Sequence, residues 1–215
     1  VGVGKVGMVA SRKGVGKTAF LVHLATDRLF QGKHVIHVSF SGRTDHIISW
    51  YEDIFKEIAR KRNLDNAMEV HDEVIKSRVI MNFNQGGVAM SQVVKSINAL
   101  VEDGNFEADL LVVDGYDFDA GSPEDIAQIR GLAETRGMAI WITATLHRDD
   151  PETDEHGVPS NLSSFMGETE VLVTVAPQKD VIKLSLLKDH DRYVLEDLHL
   201  LLDPKALLIA EEAGE

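Results

Sequence analysis

The sequence predicts an α/β fold: a mostly parallel sheet flanked by helices, with an antiparallel extension at one edge near the C-terminus. Three observations carry this. Apolar, β-branched runs alternate with amphipathic stretches, the pattern of strand–helix–strand units around a parallel sheet. A glycine-rich segment, Ser11–Thr18, joins the first apolar run to the first amphipathic one. Three strand-like runs then follow one another late in the chain with only tight turns between them, which antiparallel neighbours allow and parallel ones do not.

Lys5–Ala10 reads as a buried strand. Lys17–Phe30 reads as a helix, with Phe20, Leu21, Leu24 and Leu29 near helical spacing and Gly32 as its stop. His34–Phe40 is a second strand, rich in the β-branched residues Val35, Ile36 and Val38. Asp45–Lys61 carries an apolar stripe through Ile48, Ile54, Phe55 and Ile58 and reads as a helix. Arg78–Phe83 predicts a short strand, and Ser91–Glu102 a helix closed by a turn at Asp103, Gly104 and Asn105. Leu110–Asp114 is an apolar strand ending in a carboxylate. Ser122 and Pro123 start the next helix: a hydroxyl cap, proline at the first helical position, and Glu124 and Asp125 in the first turn. It runs to about Arg136, and Gly137 stops it. Met138–Thr145 is a strand and His147–Ser164 a polar loop. Val171–Val175, Val181–Leu187 and Leu198–Leu202 are the late strands, with turns at Gln178–Asp180 and Asp189–Arg192. Residues 1–209 are expected to form one domain and 210–215 a C-terminal tail.

A chain of 215 residues with 44% hydrophobic residues can bury a sizeable core and is too apolar for disorder. No apolar run approaches the ~18–20 residues needed to span a bilayer, and no secretory signal is visible. There is no cysteine, which excludes disulfides, thiolate metal sites and cysteine nucleophiles, and fits the cytoplasm. The formal net charge is -13. A field of that sign repels nucleic-acid phosphate and disfavours broad DNA binding.

Ser11–Thr18, SRKGVGKT, lies between a predicted strand and a predicted helix, the context a phosphate-binding loop requires. Gly14 and Gly16 permit positive φ and close backbone approach, so successive N–H groups can face phosphate oxygens. The helix starting at Lys17 adds the positive end of its dipole. Lys17 is placed to reach the β- and γ-phosphates of a nucleoside triphosphate, and the Thr18 hydroxyl to ligate magnesium. The cofactor-binding set is Ser11, Arg12, Lys13, Gly14, Val15, Gly16, Lys17, Thr18 and Ala19. One departure from GxxxxGK[ST] is Ser11, where the consensus has glycine. Leu110–Asp114 is the second nucleotide motif: a parallel strand would set Asp114 beside the loop, where it would hold magnesium through water. ATP and Mg2+ are the expected cofactors.

Several segments together resemble a known family. Ala10–Phe20, ASRKGVGKTAF, looks like the phosphate loop of replicative helicases of the DnaB kind. Ile129–Arg148 resembles their later helix–strand–loop element, ending in Leu146, His147 and Arg148. Asn161–Val175 is similar to the segment that follows, and Leu186–Pro204 to their closing hairpin. The resemblance covers nearly the whole chain and implies a RecA-like P-loop ATPase domain, a superfamily that also includes KaiC and the RadA-type proteins. It further implies a homo-oligomer with nucleotide between subunits.

The same resemblance exposes three departures. The family's second strand ends Ser-Leu-Glu, and that glutamate polarises the attacking water; here the stretch is Ser39, Phe40 and Ser41. Serine is no general base at neutral pH without help, and Asp45, a turn further on, is the candidate substitute. The glutamine after the later strand is replaced by Thr145. The Lys-x-Arg finger becomes Lys188, Asp189 and His190, with Arg192 as a compensating candidate. Binding groups persist and hydrolytic groups are altered. The expectation is a nucleotide-dependent switch or assembly protein, with an unidentified protein partner and weak or absent hydrolysis. The alternative is an active oligomeric ATPase, including a DNA-associated motor.

Three further features take ordinary readings. His147–His156 combines two histidines with five carboxylates but lacks calcium-loop spacing, and reads as a solvated acidic loop. Asp117 and Asp119 read as turn caps, with a place near the nucleotide as the alternative, and Trp50 and Tyr51 as core packing, with a partner surface as the alternative.

Overall fold

The structure, a computed structural model, describes residues 1–41, 44–84, 88–146, 152–178, 181–203 and 208–211. Its elements in chain order are β1 (Val6–Arg12), α1 (Lys17–Phe30), β2 (Val35–Ser39), α2 (Thr44–Arg62), α3 (Ala67–Lys76), β3 (Arg78–Asn82), α4 (Met90–Glu102), β4 (Leu110–Asp114), α5 (Pro123–Arg136), β5 (Ala139–Leu146), α6 (Ser160–Ser163), β6 (Val171–Gln178), β7 (Val181–Asp189), β8 (Arg192–Leu202) and β9 (Ile209–Glu211). Among the described residues all nine strands join one sheet, in the order β3-β2-β4-β5-β1-β6-β7-β8-β9. From β3 to β6 the strands are parallel, and β7, β8 and β9 continue the sheet antiparallel. This is the predicted fold class, including its antiparallel edge.

The sheet has a helical layer on each face. Alternate residues of one strand feed different layers, because successive side chains point to opposite faces. Thus Val35 of β2 packs with α1 and α2, and Ile36 packs with α4 and α5. The central strands β2 and β4 are buried along their whole length, which is why they read as continuous apolar runs rather than alternating ones. α5 begins where the sequence places it. Ser122 and Asp125 form a reciprocal capping box, Pro123 sits in the first turn, and Gly137 ends the helix at φ 73°.

The differences from the sequence reading have physical causes. α3 has no counterpart in that reading, because its apolar residues make no clean stripe: Val74 is buried, but Met68 and Ile75 are 84% and 42% exposed. β8 starts at Arg192 rather than Leu198, since its first half carries Glu196 and Asp197. Asp197 is ion-paired to Lys183 on β7, so charges support the strand there. β9 takes Ala210 and Glu211 into the sheet beside β8, where the sequence reading begins a tail. The one-turn helix α6 also interrupts the stretch read as a polar loop. Residues 147–151 of that loop, 179 and 180 of the β6–β7 turn, and 212–215 lie outside the described residues. No described helix is long and apolar enough to cross a membrane.

Candidate functional site

β1 ends at Arg12 and α1 begins at Lys17, so the intervening loop crosses the C-terminal edge of the sheet. Parallel α/β sheets bind ligands in this position, outside the carboxyl ends of their strands. Gly14 and Gly16 take φ values of 81° and 85°, the left-handed region that only glycine enters freely. Gly16 is also crowded: a Cβ there would lie 2.8 Å from Leu202 Cδ2 and 3.2 Å from Ile182 Cδ1.

Lys17 is 9% exposed and folds back over the loop. Its Nζ donates to the carbonyl oxygens of Ser11 at 2.9 Å and Arg12 at 3.0 Å, and lies 3.3 Å from Ser11 Oγ. Burial lowers the ammonium from 10.5 to about 8, with the Asp114 carboxylate opposing that shift. A partly desolvated cation at the first turn of a helix is poised for an anion.

Asp114 ends β4, in register with Ser39 of β2, and is 9% exposed. Both of its oxygens are engaged. Thr18 Oγ1 donates to Oδ2 at 2.9 Å, and Thr143 Oγ1 donates to Oδ1 at 2.8 Å. The Gly115 N–H in turn donates to Thr143 Oγ1 at 2.9 Å. A hydroxyl and a carboxylate are hard oxygen donors, the class that suits magnesium. The donor set therefore fits that ion. Among the described residues no group of three or more His, Asp or Glu side chains is arranged to hold a metal by itself.

A cavity of about 370 Å³ joins these groups. Lys13, Gly14, Lys17, Thr18, Asp114 and Thr145 make its polar side, and Trp50, Ile182 and Leu202 its apolar walls. A larger cavity of about 520 Å³ adjoins it at Gly115, between Phe40, Met90 and Tyr116, and contains none of the loop residues.

The hydrolytic candidates are dispersed. Ser41 bonds back to the end of β2: the Ser39 and Ser41 hydroxyls are 2.9 Å apart, and the Ser41 N–H donates to Ser39 Oγ at 3.1 Å. Asp45 sits exposed in the first turn of α2. Thr145 pairs in register with Ser11 and is exposed on the cavity. Lys188 is 8% exposed, and its Nζ donates to the carbonyls of Met166, at 2.7 Å, and Thr169. Its charge is thereby committed within the fold.

His190 and Arg192 occupy the β7–β8 turn, where both lie near Asp189. Gly7 pairs with Val171, and Val171 pairs with Asp189, so this turn lies at the opposite end of the sheet from the β1–α1 loop. The strand from Gly7 to Arg12 alone spans ~17 Å at the usual rise. Neither residue reaches its own chain's loop.

Sequence reasoning missed Thr143, although it stands two residues before Thr145 on the same face of β5, a period-two signal. Trp50 packs against the buried cluster of α1 and α2, as expected, and also lines the cavity. Its neighbour Tyr51 is buried as expected. Tyr51 Oη lies 3.0 Å from His37 Nδ1, and Arg78 stacks over its ring at 4.1 Å. Burial holds His37 down at about 4, so the imidazole is neutral at pH 7. Asp117 accepts from the N–H groups of Asp119 and Ala120, the turn-capping role read for it. Asp154 of the acidic loop accepts from the His156 and Val158 N–H groups and from Ser163 Oγ.

No protein-family model and no curated protein matches the sequence. Solved structures do match, among them an ATPase domain, with a TM-score of 0.71 over 98% of this chain and 86% of that one. The fold is RecA-like. Sequence identity in that match is 12%, so the likeness carries architecture alone. In this RecA-like sheet the β1–α1 loop, the β4 end and the β5 end stand side by side, because β5 lies between β4 and β1.

Proposed function

We propose that the chain binds ATP with magnesium in the cavity at the β1–α1 loop, and acts as a cytoplasmic nucleotide-dependent switch or assembly protein with weak or absent hydrolysis. The observation that carries this reading is the Lys17–Thr18–Asp114 constellation standing complete beside a Ser39–Ser41 hydroxyl pair. The N–H groups of Gly14 to Thr18 would surround the β-phosphate. Lys17 would exchange its two carbonyl partners for β- and γ-phosphate oxygens. Thr18 and Asp114 would hold magnesium, which neutralises charge on the phosphates.

Hydrolysis needs a base or water-orienting group at the γ-phosphate, and Ser41 offers a hydroxyl, bonded to Ser39, in place of a carboxylate. A binding event without rapid turnover leaves ATP to stabilise one conformation or one assembly, which is how a switch works. One observation favours the second reading, an active oligomeric ATPase. His190 and Arg192 lie at the end of the sheet where they could serve only another copy's nucleotide. The net charge of -13 weighs against a DNA-associated motor.

Calorimetric titration with ATP and magnesium tests the binding claim. The expected result is micromolar or tighter affinity in the wild type and none detectable in Lys17→Ala. No heat of binding in the wild type would refute it.

A further inference from the structure

Thr143 is 2% exposed and sits on β5, between the phosphate loop on β1 and Asp114 on β4. A threonine hydroxyl has one proton and two lone pairs. Here the Gly115 N–H occupies a lone pair at 2.9 Å, and the proton is given to Asp114 Oδ1 at 2.8 Å. The donor–acceptor direction is therefore fixed. Rotating the Asp114 carboxylate would break the Thr143 bond while Gly115, at φ 81°, still holds the hydroxyl in place. Oδ2 is left facing Thr18 Oγ1 at 2.9 Å.

We propose that Thr143 is a positioning residue that sets cation choice at Asp114. This rests on the ATP–magnesium reading above. By bonding to Oδ1, Thr143 fixes the rotation of the carboxylate and turns Oδ2 toward the cation that Thr18 shares, to meet it directly or through a retained water. A one-oxygen carboxylate suits magnesium, which demands near-ideal octahedral geometry and keeps several waters. Calcium is larger and accepts both oxygens of one carboxylate. A carboxylate freed from Thr143 can offer both, so the hydroxyl favours magnesium over calcium. Outer partners of metal ligands commonly act this way, by fixing the ligand rather than touching the ion.

The test measures ATP affinity by calorimetry in magnesium, in calcium and in EDTA, for wild type, Thr143→Val and Thr143→Ser. In the wild type, magnesium should strengthen binding more than calcium does. Thr143→Val should lose about 10–100-fold of the magnesium-supported affinity, keep its EDTA affinity, and bring the magnesium-to-calcium ratio close to one. Thr143→Ser, which keeps the hydroxyl, should restore the ratio. A hydroxyl with a merely structural role would weaken all three conditions alike, and an unchanged ratio in Thr143→Val overturns the proposal. If Thr143→Val does not fold, Thr143→Cys takes its place, since a thiol is a weak donor of similar size. A wild type that binds no ATP in any condition removes the underlying reading itself. A wild type that binds with magnesium upholds that reading and leaves the variants to judge Thr143 alone.

Discussion

Lys17 carries the site's most consequential titration. Its folded value, about 8, lies below the ordinary 10.5 because the side chain is buried. The unfolded chain therefore binds more protons than the folded one between those two values. Its contribution to stability rises with pH across that window, and below about pH 8 the buried charge weighs against the nucleotide-free fold. Phosphate next to the ammonium would restore the charged form. ATP binding above about pH 8 should thus take up protons, and affinity should fall as pH rises from about 7 to about 9.5. Calorimetry at about pH 8.5 in two buffers of different ionisation enthalpy reads the uptake directly. Identical heats in both would contradict the role given to Lys17. Ser41 is the opposite case: its hydroxyl and its N–H both engage Ser39 Oγ, and neither supplies a base.

The β1–α1 loop is bounded by packing as well as by backbone conformation. Gly14 and Gly16 share nearly the same φ, but only Gly16 is pressed by Leu202 and Ile182. Gly14→Ala should cost about 1–2 kcal/mol for the left-handed conformation alone. Gly16→Ala should cost more, because its Cβ also meets the β7 and β8 side chains. Thermal unfolding of the two variants reads the difference, and equal losses would show that the antiparallel edge does not press on the loop. This contact was not legible in the sequence. Ile182 and Leu202 stand far from Gly16 along the chain, and no local pattern links them. β1, α1, β4 and the capped start of α5 were legible, because each is written by its own residues: continuous apolar runs, a Gly-Lys-Thr start, a Ser-Pro cap. α3 was hidden because Met68 and Ile75 spend apolar residues on its exposed side. The charged half of β8 was hidden because its support comes from Lys183 on the neighbouring strand.

Across the whole molecule, the sheet separates two sets of candidate residues. Lys17, Thr18, Asp114, Thr143 and Thr145 converge at the C-terminal edge of the parallel strands. His190 and Arg192 stand at the other end. The first convergence was half legible: the two motifs declared Lys17, Thr18 and Asp114, but only the strand order reveals that β5 sets Thr143 between them. The distant turn was legible as residues and not as a location, because register across β1, β6 and β7 decides it. Lys188 shows the same limit of local reading, since its carbonyl partners Met166 and Thr169 come from the segment before β6.

On the proposed function, this molecule is expected to hold ATP without consuming it quickly. The most direct measurement is the chemical identity of the nucleotide it retains. Protein well above micromolar is incubated with a smaller amount of ATP and with magnesium for an hour, so that the nucleotide stays bound, and is then denatured and analysed by chromatography. Retained nucleotide that is predominantly intact ATP is the expected result. Predominantly ADP would contradict it.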